Sequence, residues 1–184
     1  MPQLVSSYHD SVGKNAFWLL DWSPTKEGVL RPDHIARYAE LGDWLQECYA
    51  TPAASSTTSG TTMEVTVPAG HAADRVVLQE DLTTGQRVRA FTVSATTSDG
   101  AVTAGLAANG TSIGHKFIGA LDKVYPAGTK LTLTITSAVG AAKMKSMEVF
   151  NCSRAPAATG CSYLRNVSSQ AICRSLGLFL DCFF

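Results

Sequence analysis

The chain has 184 residues, 45% of them hydrophobic, with 15 Lys+Arg balanced by 15 Asp+Glu. Its length suits one domain, or a small domain plus part of another, and permits a real core. Zero net charge, with no basic and aromatic interleaving, excludes nucleic acid as a partner, and no apolar run is long enough to cross a bilayer.

The first ten residues, MPQLVSSYHD, lack the apolar centre of a signal peptide, so the chain read alone carries no export signal. Leu4 to Val12 reads as a short helix. Ala16 to Trp22 follows, apolar except for Asp21. It alternates too little for a half-exposed strand, and is expected to be a strand buried on both faces. Pro24 and Gly28 then punctuate a turn. The stretch RPDHIARYAELGDWLQEC is expected to be a helix, with Ile35, Tyr38, Ala39 and Leu45 near one face and Leu41 and Trp44 beside them. Pro32 and Asp33 suit its first turn.

Residues 51–62, small and polar, read as a linker before a change of composition at Met63. From there to residue 151, MEVTV, DRVVLQE, RVRAFTVSA, SIGHKFIGAL, LTLTIT and SMEVF are strand candidates separated by turn residues, the pattern of an antiparallel β-sandwich. In RVRAFTVSA the set Arg89, Phe91, Val93, Ala95 is expected to face the core, with Arg89 at the edge. Residues 152–184 form a cysteine-containing tail of no assigned structure, ending in an apolar run of nine residues.

Five cysteines leave at least one unpaired within the chain. Cys152, Cys161, Cys173 and Cys182 lack the close spacing of zinc ligands, which leaves disulfides or incidental thiols. Cys48 is expected to be a buried helix residue. No metal or cofactor motif is present. Asn109, Asn151 and Asn166 each begin an N-x-Ser/Thr glycosylation motif, which with the cysteines suggests an extracellular parent.

Asp21 and Trp22 are the sharpest binding candidates: a carboxylate that accepts hydrogen bonds beside an indole that offers an apolar plane, placed to meet a ligand if they end a barrel strand. The alternative is that Asp21 caps the next turn and Trp22 fills a rim. His115, Gln79 and Glu80 are expected to be structural or surface residues rather than ligand contacts.

Several of these motifs together resemble the α-L-fucosidases of glycoside hydrolase family 29. The first block runs from Ser11–Asn15 through Leu19–Asp21 and the Pro24–Gly28–Pro32 turn to Leu41–Leu45, and resembles the end of the family's catalytic barrel. The second, VVLQE, GQRV and TSIGHK, resembles its C-terminal sandwich. The match spans Leu4 to Phe150. It departs from the family in lacking the Trp that members often have at AVTAGLAANG, in Asp at position 21 where many members have Asn and some Asp, and in the tail from Cys152.

The resemblance implies an α+β chain: the terminal β/α unit of an incomplete (β/α)8-like barrel over residues 1–50, then a galactose-binding-like sandwich. It implies a secreted, lysosomal or vacuolar parent that releases terminal fucose from glycans by a retaining mechanism. The nucleophile and acid/base of such enzymes lie in barrel segments before the region matched, so no catalytic residue carries over. The chain alone is expected to be inactive, with residues 1–50 poorly folded without those segments. The other reading is a non-catalytic sandwich that supports a barrel or binds carbohydrate.

Overall fold

In a computed structural model, residues 1–57, 60–98, 100 and 108–154 are described. Helix α1 spans Pro2–Ser11 and α2 spans Pro32–Tyr49. Eight strands follow: β1 Ala54–Ser56, β2 Thr62–Thr66, β3 Ala72–Glu80, β4 Val88–Thr96, β5 Ala108–Gly110, β6 Phe117–Pro126, β7 Lys130–Ala138 and β8 Met144–Phe150. They form two antiparallel sheets, ordered β1-β8-β3-β6 and β2-β7-β4-β5.

The two sheets face each other across one core. Val76, Leu78, Met147 and Val149 of the first meet Val65, Phe91, Val93, Leu131 and Leu133 of the second. The first sheet is covered on its other face as well. There Val77, Ile118 and Phe150 pack with Tyr8 of α1 and Cys48 of α2, flanked by Trp18, Trp44 and Tyr49. This explains why β3 reads VVL without alternation: a strand buried on both faces has no solvent side. The molecule is therefore three layers, helices on sheet on sheet.

Several expectations are corrected. Residues 16–25 belong to no strand, and Phe17 and Leu19 are each 68% exposed. A strand exists only through its ladder partners, and no described strand lies alongside this segment. Within residues 1–50, both helices dock on the first sheet. The buried face of α2 is Leu41 and Cys48 with Trp44 and Leu45 beside them, whereas Ile35 is exposed. The 51–62 stretch is not wholly a linker, for β1 pairs with β8. In β4, Phe91, Val93 and Ala95 do face the core, but Val88 is buried and Arg89 exposed. Irregular register between Val88 and Phe91 against β7 shifts the side-chain alternation there, as a bulge does. The tail beyond residue 154 lies outside the described residues.

Candidate functional site

Asp21 and Trp22 sit at the end of the extended segment, above α2. The Trp22 ring stacks on Tyr38, centroids 3.9 Å apart and planes tilted by 33°. The Tyr38 hydroxyl donates to the backbone oxygen of Asp21 at 3.4 Å. Partial burial, and then the Asp21 charge, raise the Tyr38 pKa, which keeps its hydroxyl protonated and a donor. Asp21 itself is exposed and Trp22 half-buried. The pair expected from the sequence is thus joined by Tyr38, which sequence reasoning placed only on a helix face. An exposed carboxylate beside a propped indole accepts hydrogen bonds from vicinal hydroxyls and offers an apolar plane. It does not supply the two carboxyl groups that glycoside hydrolysis requires.

A second constellation ties the helices to the sandwich. Gly13 O accepts from Ile118 N at 2.9 Å, Lys14 bridges to Phe117, and Asn15 Oδ1 accepts from His115 N at 2.7 Å. Asn15 adopts φ 64° and Gly114 φ 60°, and a Cβ on Gly114 would lie 2.3 Å from the Asn15 amide nitrogen. Only glycine fits there. His115 lies in a turn and is exposed, so it is a surface residue.

Glu80 is 2% exposed. Its Oε1 accepts from the backbone N–H of Arg87 and of Val88, the latter at 3.0 Å, and its Oε2 from Gly114 N at 3.2 Å. Its own N–H donates to Gly114 O at 2.9 Å. Gln79 accepts from Ser146 Oγ at 3.2 Å. Both residues are structural.

At the other end, Cys48 and Cys152 form a disulfide with Cα atoms 4.6 Å apart, joining the last turn of α2 to the residues after β8. Cys48 is buried as expected, but it has a covalent partner that its sequence neighbourhood did not announce. Beside it, Asp74 accepts from Cys152 N at 2.8 Å and from the Ser153 hydroxyl. His9 pairs with the Tyr49 hydroxyl at 2.7 Å. Burial, then the charge of Arg75, lowers the His9 pKa, and burial raises that of Tyr49, so both stay neutral near pH 7. Among the described residues no group of three or more His, Cys, Asp or Glu could hold a metal ion. Asn109 is on β5, Asn151 directly follows β8, and Asn166 lies outside the described residues.

Comparison with known structures is decisive for the fold. A Bacteroides ovatus protein assigned as an α-L-fucosidase matches with TM-score 0.73 and 27% identity, over 92% of this chain and 29% of its own. The fold is that of the C-terminal part of a family 29 α-L-fucosidase. A glycoside hydrolase 29 family member from an unknown rumen bacterium has a similar fold (TM-score 0.70, 22% identity, 89% of this chain and 30% of its own). So does a Ruminococcus gnavus family 29 fucosidase solved with fucose (TM-score 0.66, 20% identity, 81% and 36%). The chain thus spans about a third of the length of these fucosidases. No protein-family model matches the chain, and no curated protein does.

Proposed function

We propose that these residues are the C-terminal portion of an α-L-fucosidase that releases terminal α-L-fucose from glycoconjugates with retention of configuration. Residues 1–50 then supply the terminal β/α unit of a (β/α)8-like barrel. The sandwich, galactose-binding-like in character, buttresses it through the Gly13–Asn15 contact and the disulfide. Asp21 and Trp22 stand at the barrel mouth, where they orient and stack on substrate, while nucleophile and acid/base come from outside these 184 residues. The observation that carries this reading is the 92% coverage of the chain by a single match at 27% identity. So complete a match leaves too few residues out to omit either the helices or the sheets.

The test is hydrolysis of a chromogenic α-L-fucoside by this chain and by a version extended at its N-terminus with a family 29 barrel. Turnover is expected only in the extended version. Turnover by the short chain would show that its own carboxylates, Asp21 foremost, perform the chemistry. Failure of both would leave a non-catalytic module.

A further inference from the structure

We propose that Asn109 is an N-glycan acceptor and that Asn151, in an equally well-formed motif, is closed to the same modification. The two differ in what the fold does with their three residues.

β5 is the outermost strand of its sheet, only three residues long. Ala108 packs against the core, and a Cβ on Gly110 would lie 2.7 Å from the Phe91 ring. Alternation along a strand therefore turns the Asn109 side chain outward, and it is exposed, as is Thr111. The amide that would receive the sugar and the hydroxyl that completes the motif both face solvent.

The Asn151 motif is used up by folding. The Asn151 Oδ1 is buried without a hydrogen-bond partner. Cys152 is 8% exposed and bonded to Cys48, with its N–H held by Asp74. The Ser153 hydroxyl donates to Asp74 as well. A motif that specifies Ser or Thr in third place is recognised partly through that hydroxyl, and here a buried carboxylate already holds it. Folding and glycosylation compete for residues 151–153, and closure of the disulfide decides for folding. The same disulfide places the chain in an oxidising compartment, where glycan transfer takes place. In that transfer the Asn109 Nδ2–C1 bond forms as the C1–O bond of a lipid-pyrophosphate-linked oligosaccharide breaks. The lipid pyrophosphate leaves, and the amide proton passes to a base of the transferase.

The test is to secrete the full 184-residue chain from a eukaryotic host behind a signal sequence. Glycans are then removed with peptide N-glycosidase in heavy-oxygen water, and the peptides bearing Asn109 and Asn151 are mapped by mass. Labelled Asp is expected at 109 and unmodified Asn at 151, and both Asn109→Gln and Thr111→Ala should lose the label at 109. Thr111→Ala leaves the asparagine in place, so it serves if Asn109→Gln is not secreted. An unlabelled 109, or labelling at 151 equal to that at 109, overturns the proposal.

Discussion

One side chain, Glu80, holds two other segments of the sandwich, Arg87–Val88 and Gly114. Its carboxylate accepts the N–H groups of Arg87, Val88 and Gly114, all inside the fold. Hydrogen bonds to an ionised acceptor are among the strong ones, and a buried donor that loses its partner costs its full desolvation. Glu80→Ala strands three N–H groups at once, and should lower stability by about 3 kcal/mol, read from the midpoint of urea unfolding. A loss under about 0.5 kcal/mol, the range of an ordinary surface change, would mean that water replaces the carboxylate. The sequence showed that VVLQE, GQRV and TSIGHK recur together in a family. It did not show that the last residue of the first motif is bound to the other two, because the donors are backbone N–H groups, which leave no mark on the side chains of the residues that carry them. Asp21 and Trp22 were legible as a polar–aromatic pair at the end of an apolar run. Tyr38 was not, since nothing in a helical pattern says which residue of its face will meet a ring from elsewhere.

Elements were legible wherever the period was undisturbed. Both helices show their 3.6 period, and β2, β4 from Phe91 on and the first half of β7 alternate, whereas β3 reads as an apolar run because it is buried on both faces. The misses have physical causes. β1 and β5 have three residues each, too few to show a period, and they exist because β8 and β4 present open edges. Val88 and Arg89 exchange faces through the irregular register at the start of β4. The link between α2 and the end of β8 was invisible, because disulfide connectivity cannot be deduced from spacing. That link closes a loop with a sequence separation of 104 residues. Chain entropy then assigns it about 4–5 kcal/mol through restriction of the unfolded state. The double variant Cys48→Ala, Cys152→Ala should therefore unfold at lower urea by about that amount. Reductant should do the same to the parent chain and nothing to the variant. Equal midpoints for parent and variant would show that Asp74 and the aromatic layer hold this end without the bridge.

For the molecule as a whole, the apolar stretch from Ala16 to Trp22 has two faces with different surroundings. Trp18 packs toward Tyr8, and Trp22 toward Tyr38, so one side lies on the helices. The opposite side carries Phe17 and Leu19, and Val29, Leu30 and Ile35 are exposed on the following turn and helix, between 40% and 68%. Several large apolar side chains exposed within one stretch of the chain are expected of an interaction face. Under the proposed function it would be met by the neighbouring strands of a barrel, and that would account for a sequence that reads as a strand buried on both sides. Amide exchange should accordingly divide the molecule. Residues 17–22 should exchange fast in the 184-residue chain, while β3, β4 and β7, at the centre of their sheets, exchange slowly. In the barrel-extended protein the same 17–22 amides should become protected. The variant Leu19→Ser should reduce binding of an apolar dye by the short chain, yet leave its urea midpoint within about 0.5 kcal/mol of the parent, since Leu19 is not part of its core. In the extended protein the same variant should be destabilised by several kcal/mol, the cost of removing a buried side chain from a packed interface. Strong protection across 17–22 in a monomer of the short chain would show that the segment finds its partners within these residues, and the apolar face would then need no barrel to cover it.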